Sequence, residues 1–274
     1  MDLRKSNRYD IAFRMGIGRR DSQQDAGFVA ACDNETLAVV CDGMGGLTGG
    51  ERASKAAIEK FLSEYEREGR LDGGEWMEEA IELTDDLVYS LKAPDGTPLG
   101  AGTTLAAVHI IADRMYWVSA GDSRIYVLRA GQMVQITTDH NYFFQLNEML
   151  QNGEIDREQY RIEAQEGEAL ISYVGMGGLQ WKDISRAPFV LRPKDTILIC
   201  SDGLYRSVPA QLILASVCAA ENMENAASCI EQAIQEAAKP ESILRVRHLQ
   251  VRKTRINRHS RFPLQQAQER KRQC

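Results

Sequence analysis

The six cysteines, at positions 32, 41, 200, 218, 229 and 274, stand in no CxxC and no Cys/His spacing. That absence argues against a zinc site. Cys32, Cys41 and Cys200 lie in apolar runs and are expected to be buried thiols. No run is long and apolar enough to span a bilayer, and the polar start, Met1 to Arg8, lacks the apolar core of a signal peptide. The expectation is a cytoplasmic protein with no membrane partner. The glycines at 43, 45 and 46 lack the third glycine of GxGxxG, and no Gly-Lys-Ser/Thr follows them. Both nucleotide-binding loops are thereby excluded. The four histidines, at 109, 140, 248 and 259, are scattered, and no Ser-His-Asp arrangement suggests itself. His109 reads as a structural histidine in an alternating strand, and Asp139-His140 as a helix N-cap pair. There is no internal repeat and no low-complexity segment.

What is present is ordinary for a globular chain. The 274 residues are 43% hydrophobic and 26% charged, enough for one large domain or two small ones. The net charge of −6 is uneven: residues 239–274 carry eleven Lys/Arg and two Glu, or +9, so the remainder carries −15. A basic tail on an acidic body is the chief break in composition. It contains no nucleic-acid motif, and a solvated tail is expected there.

Periodicity supplies the elements. Tyr9 to Gly18 alternates, with Ile11, Phe13, Met15 and Ile17 on one face, as in a half-buried strand. Ala26–Ala31 and Thr36–Cys41 read as a strand pair turning at Asp33-Asn34. Gly49–Glu68 and Gly73–Leu91 carry single apolar stripes and read as helices. Their Glu-rich faces and Asp85-Asp86 read as solvated surface. Strands are expected at Leu105–Ile111, Met115–Ala120, Arg124–Leu128 and Met133–Ile136, with turns at Asp113-Arg114 and Ala130-Gly131. A short helix follows near Tyr142–Leu150, then strands at Phe189–Leu191 and Thr196–Cys200. Helices at Pro209–Ala220 and Glu224–Ala238 close the series. Runs of strands with an embedded and a terminal helix pair predict an α+β fold: two packed antiparallel sheets, a β-sandwich, flanked by pairs of helices.

The chain is organised around Val39 to Gly50, VVCDGMGGLTGG. An apolar strand there ends in Asp42, a glycine turn and a helix start. A carboxylate beside bare backbone suits a hard cation; taken alone, the stretch is better read as a Gly-rich turn. Asp122 and Asp202 also follow apolar strand-like runs, and Asp25 bounds another. Four Asp on separate segments, meeting at one end of a sandwich, suit Mg²⁺ or Mn²⁺ rather than zinc. Arg20, five residues before Asp25, is placed to grip phosphoryl oxygens in a fork.

These residues resemble the metal-dependent protein serine/threonine phosphatases (type 2C, PPM). The resemblance rests on Arg20-x4-Asp25, Val40 to Gly46, Gly102-Thr103-Thr104, Gly121 to Tyr126, Thr137 to His140 and Cys200 to Leu204, in the family's order over about residues 9–238. One such stretch is weak, and six in register are strong. The resemblance implies a phosphatase domain over 1–239 with a variable flap at about 139–175; the basic tail, 240–274, departs from the family and is expected from its composition to be largely disordered. The resemblance also implies that Asp42 bridges two ions, that the Gly43 carbonyl binds one, and that Asp202 ligates the second. Asp25 then acts through bound waters, Asp122 helps hold a third, looser ion, and Arg20 binds the substrate phosphate. Phosphoproteins, a serine/threonine kinase and its targets among them, are the implied partners, with the chain a monomer.

Three departures stand out. Gln24 replaces a frequent Glu, and Met44 replaces the His that eukaryotic members carry. The family's late metal-ligand Asp has no counterpart, because no Asp occurs after Asp202. Glu241 is the nearest substitute. The alternative expectation is therefore an inactive or weakly active phosphatase-like protein that binds or regulates a phosphoprotein.

Overall fold

The structure is a computed structural model that describes residues 9–16, 23–32, 34–69 and 73–237. The chain divides into two units at Lys239 and Pro240, and the second lies outside the described residues.

Strand β1 (Asp25–Cys32) pairs with β2 (Glu35–Met44), and β2 with β4 (Leu105–Ile111), all antiparallel. β4 pairs in turn with β5 (Arg114–Ala120), and the two-residue β3 (Gly102–Thr103) adds to the end of β2. The second sheet sets β6 (Arg124–Arg129) between β7 (Gln132–Gln135) and the later β10 (Thr196–Cys200). Two short strands, β8 (Asp183–Ile184) and β9 (Phe189–Val190), complete the first sheet against β5.

β4 shows why the sheets stack. Its even residues Ala106, Val108 and Ile110 pack with Met115, Ile125, Val127, Ile197 and Ile199 between the sheets. Its odd residues Leu105 and Ala107 join Phe61, Trp76, Met77 and Ile81 on the outer face. Those outer residues belong to α1 (Gly46–Glu66) and α2 (Glu75–Tyr89). Strict alternation lets one strand serve two cores. Between the sheets' two halves of sequence lie α3 (Tyr142–Asn152) and α4 (Arg157–Glu163). After β10 come the one-turn α5 (Asp202–Tyr205) and the pair α6 (Ala210–Ala219) and α7 (Met223–Ala237), which cover the second sheet. The expected α+β sandwich with flanking helix pairs is the observed architecture. No helix among the described residues is long and apolar enough to cross a membrane.

Several local expectations need correction. Residues 9–16 join neither sheet. Side chains hold the segment instead: the Tyr9 hydroxyl donates to the Ala112 carbonyl, Phe13 packs on Gly27, and Arg14 pairs with Glu224 and Glu231 of α7. The β4–β5 turn falls at Ala112-Asp113, one residue early, because Ile111 pairs with Arg114 and the Ala112 amide donates to Asn34 at 2.7 Å. Cys32 is exposed at the end of an edge strand, whereas Cys41 and Cys200 are buried as expected. Burial pushes the Cys200 thiol up to about 12. Asp85 and Glu64 are buried, not solvated. Glu64 is paired with Lys60 and Arg67, and Asp85 is capped by three backbone amides.

Candidate active site

β2 runs two residues past Asp42, so this carboxylate rises from within the strand rather than from its tip. Alternation sends Leu37, Val39 and Cys41 toward α1 and α2, which leaves Asp42 on the face toward the second sheet. Cross-strand register places Asp25 directly opposite Asp42, on that same face. From the other sheet, β10 delivers Ser201 and Asp202 to the same place, and the Ser201 hydroxyl donates to Asp25 Oδ2 at 3.1 Å. Asp42 hydrogen-bonds with both Asp25 and Asp202. Burial first, and these two acids next, push its pKa up to about 8.

Asp122 arrives by register too. Cys200 pairs with Arg124, so the residues two beyond and two before, Asp202 and Asp122, flank the open end of that ladder. Gly121 makes the bend with φ 96°, and a side chain there would lie 2.6 Å from Thr104. His140 clamps this glycine from both sides: its Nδ1 accepts from the Gly121 amide at 3.2 Å and its own amide donates to the Gly121 carbonyl at 3.0 Å. Burial raises the Asp122 pKa, against a hydrogen bond from Tyr205 that lowers it.

Gly43 sits where three backbones converge. A Cβ there would stand 2.1 Å from the Gly50 carbonyl oxygen and 2.6 Å from that of Gln24. Its amide donates to Gln24 at 3.2 Å, and the Gln24 side chain donates onward to the Gly46 carbonyl at 3.1 Å. The amide of Asp42 donates to Thr104 Oγ1 at 2.9 Å, and the Thr104 amide returns a bond to the Asp42 carbonyl at 2.9 Å.

The structure thus brings Asp25, Asp42, Gly43, Asp122 and Asp202 to one end of the sandwich. Arg20 and Glu241 lie outside the described residues. Sequence reasoning missed Ser201, Tyr205 and Arg206, although each stands within four residues of Asp202. It also misassigned Asp139 and His140. The cap of α3 is Asn141, which accepts from the Phe144 amide at 3.3 Å. Asp139 instead forks the Arg124 guanidinium, at 3.0 Å from Nε and 2.6 Å from Nη2.

The gathered donors are carboxylate and carbonyl oxygens, which suit Mg²⁺ or Mn²⁺. Burial and the neighbouring Asp25 and Asp202 both disfavour the charged form of Asp42, and a cation there would offset that cost. Among the described residues the acids meet in pairs, and no three side chains stand as a ready ion-binding group. They fit the ion by chemistry and charge, and the carboxylates must turn to close on it.

The protein phosphatase 2C profile matches residues 15–238. The serine/threonine phosphatase stp of Listeria monocytogenes is 29% identical over 203 residues, 72% of this chain and 78% of that protein. The serine/threonine phosphatase PstP/Ppp of Mycobacterium tuberculosis superposes with a TM-score of 0.63 at 26% identity, over 80% of this chain and 88% of that one. A PstP catalytic domain solved with two manganese ions gives a TM-score of 0.60 at 27% identity, with the same coverage. The sandwich with helix pairs outside is the fold these phosphatases share with this chain. This chain belongs to the protein phosphatase 2C family.

Proposed function

We propose that this enzyme hydrolyses phosphoserine and phosphothreonine in proteins, using two Mn²⁺ or Mg²⁺ ions held by its acids and a third held more loosely. The observation that carries the reading is the meeting of Asp25 and Asp42 from one sheet with Asp202 from the other, in a chain of this family. Asp42, the Gly43 carbonyl and Asp202 would hold the two ions, and Asp25 would act through bound waters. Asp122 holds the third ion, and Arg20 forks the substrate phosphate. Bound ions supply Lewis-acid stabilisation of the phosphoryl oxygens and a water acidic enough to attack at neutral pH. The protein's own part is orientation. Ser201 fixes Asp25, Thr104 fixes the backbone of Asp42, and His140 fixes the turn that carries Asp122.

In this reading residues 1–239 form the phosphatase domain, with 139–175 as its flap, and 240–274 form an atypical basic tail. Its substrates are phosphoproteins, a serine/threonine kinase and its targets among them, and the enzyme acts as a monomer. The test is release of phosphate from a phosphothreonine peptide. Mn²⁺ should support turnover, excess EDTA should stop it, and Asp42→Asn should abolish it. Full activity in EDTA would overturn the mechanism.

One observation favours a second reading, that of a weakly active protein which binds phosphoproteins: no Asp follows Asp202. It predicts phosphopeptide binding with little turnover at saturating Mn²⁺.

A further inference from the structure

Asp202 opens α5, and Arg206 follows one helical turn later on the same face. Its guanidinium reaches three acids. Nε lies 3.1 Å from Asp202 Oδ2, and Nη2 lies 3.4 Å from Asp122 Oδ2 and 2.5 Å from Glu168 Oε2. Asp122 and Asp202 come from the two strand ends described above, while Glu168 comes from the 139–175 segment. The neighbouring Tyr205 is fixed, with its hydroxyl donating to Asp122 Oδ2 at 3.0 Å and its ring under the Arg124 guanidinium at 3.5 Å. Arg206 itself stands at the rim of the cluster. Its side chain is 43% exposed and borders a cavity of about 560 Å³ that Glu168 also lines.

We infer that Arg206 is a resident counter-cation of Asp122 and Asp202, which a metal ion at these two acids displaces, and that Glu168, which already holds its Nη2, retains it when it withdraws. The inference rests on the proposed metal reading of the site. A guanidinium and a divalent ion compete at these acids: Arg206 already occupies Oδ2 of both, and two cations held a few ångströms apart repel. Glu168, 61% exposed and outside the metal cluster, offers a second anchorage that the ion does not contest. The weakest-held ion therefore competes with the protein's own arginine, and its affinity is set by how readily Arg206 withdraws.

The test is Mn²⁺ binding to the full chain, by titration calorimetry and by the loss of the free-ion EPR signal. Arg206→Gln should tighten the weakest Mn²⁺ by about tenfold or more, and Arg206→Lys, which keeps a charge, should give a smaller gain. Glu168→Gln should weaken that ion several-fold in the native background and do nothing in Arg206→Gln. That non-additivity separates transfer of the arginine from the mere field of a nearby carboxylate. The inference fails if Arg206→Gln leaves every Mn²⁺ constant unchanged, or if the Glu168→Gln effect is equal in both backgrounds. If Arg206→Gln does not fold, Glu168→Gln in the native and Arg206→Lys backgrounds decides: no weakening in the native chain overturns the inference. No Mn²⁺ bound by any form overturns the metal reading and this inference with it.

Discussion

Asp85 is a single carboxylate in α2 that holds a distant loop in place. Its Oδ1 accepts from the amides of Gly175 at 2.6 Å and Met176 at 3.0 Å, and its Oδ2 from Gly178 at 2.6 Å. The loop beyond is tied to the site: Val174 exchanges two backbone hydrogen bonds with Thr103, each 2.9 Å, and Thr103 pairs with Gly43. Asp85→Ala leaves three amides without this acceptor, at about 1–3 kcal/mol for each that stays buried and unsatisfied. The expected result is a loss of about 3 kcal/mol or more in urea denaturation, with weaker Mn²⁺ binding; an unchanged midpoint would contradict the clasp. Gly43→Ala should be as damaging, because its methyl would meet two carbonyl oxygens of rigid backbone. Overpacking of that kind costs roughly 1–3 kcal/mol and occasionally more. A variant of native thermal stability would show that the three backbone segments can part. Asp42, Asp122 and Asp202 were legible in the sequence because each ends an apolar run. Asp85 was not, since one acid on a helix looks solvated until the loop it caps is known.

The elements were legible where apolar runs are bounded by turn residues, as in β4 and β5, and less so where side chains do the holding. Residues 9–16 alternate like a strand, yet Tyr9, Phe13 and Arg14 attach them to the core and to α7. The connection into β10 depends on another such attachment. Arg129 of β6 donates from Nε to Asp195 Oδ1 at 2.8 Å, and the Arg192 amide donates to Asp195 Oδ2 at 2.7 Å. Burial pushes the Asp195 pKa up, but these hydrogen bonds outweigh it and hold the carboxyl below its ordinary value. A depressed folded pKa stabilises above the unfolded value, about 3.9 for Asp, and that contribution fades as pH falls through the folded one. Asp195→Asn should therefore unfold at lower urea than the native chain at pH 7. The gap should close as the pH falls below about 4. A gap independent of pH would assign the effect to packing instead.

At the scale of the whole molecule, the sandwich was readable from element order, and the family from six short stretches in register. The meeting of the acids at one end of the sandwich was expected, but which residues stand opposite one another was not, because that depends on the β1–β2 and β6–β10 registers together. Charge links this site to the rest of the chain. The body before Lys239 carries −15, and its densest acids stand within hydrogen-bonding reach of one another. A cation bound there relieves repulsion in the folded state alone, so Mn²⁺ should stabilise the fold by linkage. At a hundred times the dissociation constant, one ion adds about 2.7 kcal/mol. For a domain of this size that is a rise of roughly 5–10 °C in Tm. The chain has no Asp after Asp202, and Glu241 carries its carboxylate one methylene farther from the backbone than Asp would. We therefore expect a small Tm rise for the native chain at millimolar Mn²⁺. Replacing residues 240–251 with an Asp-Asn sequence followed by an alternating apolar strand should enlarge that rise and speed phosphopeptide hydrolysis. If the native chain already matches the replaced one in both Tm rise and turnover, the carboxylates it has suffice, and the missing Asp costs it nothing.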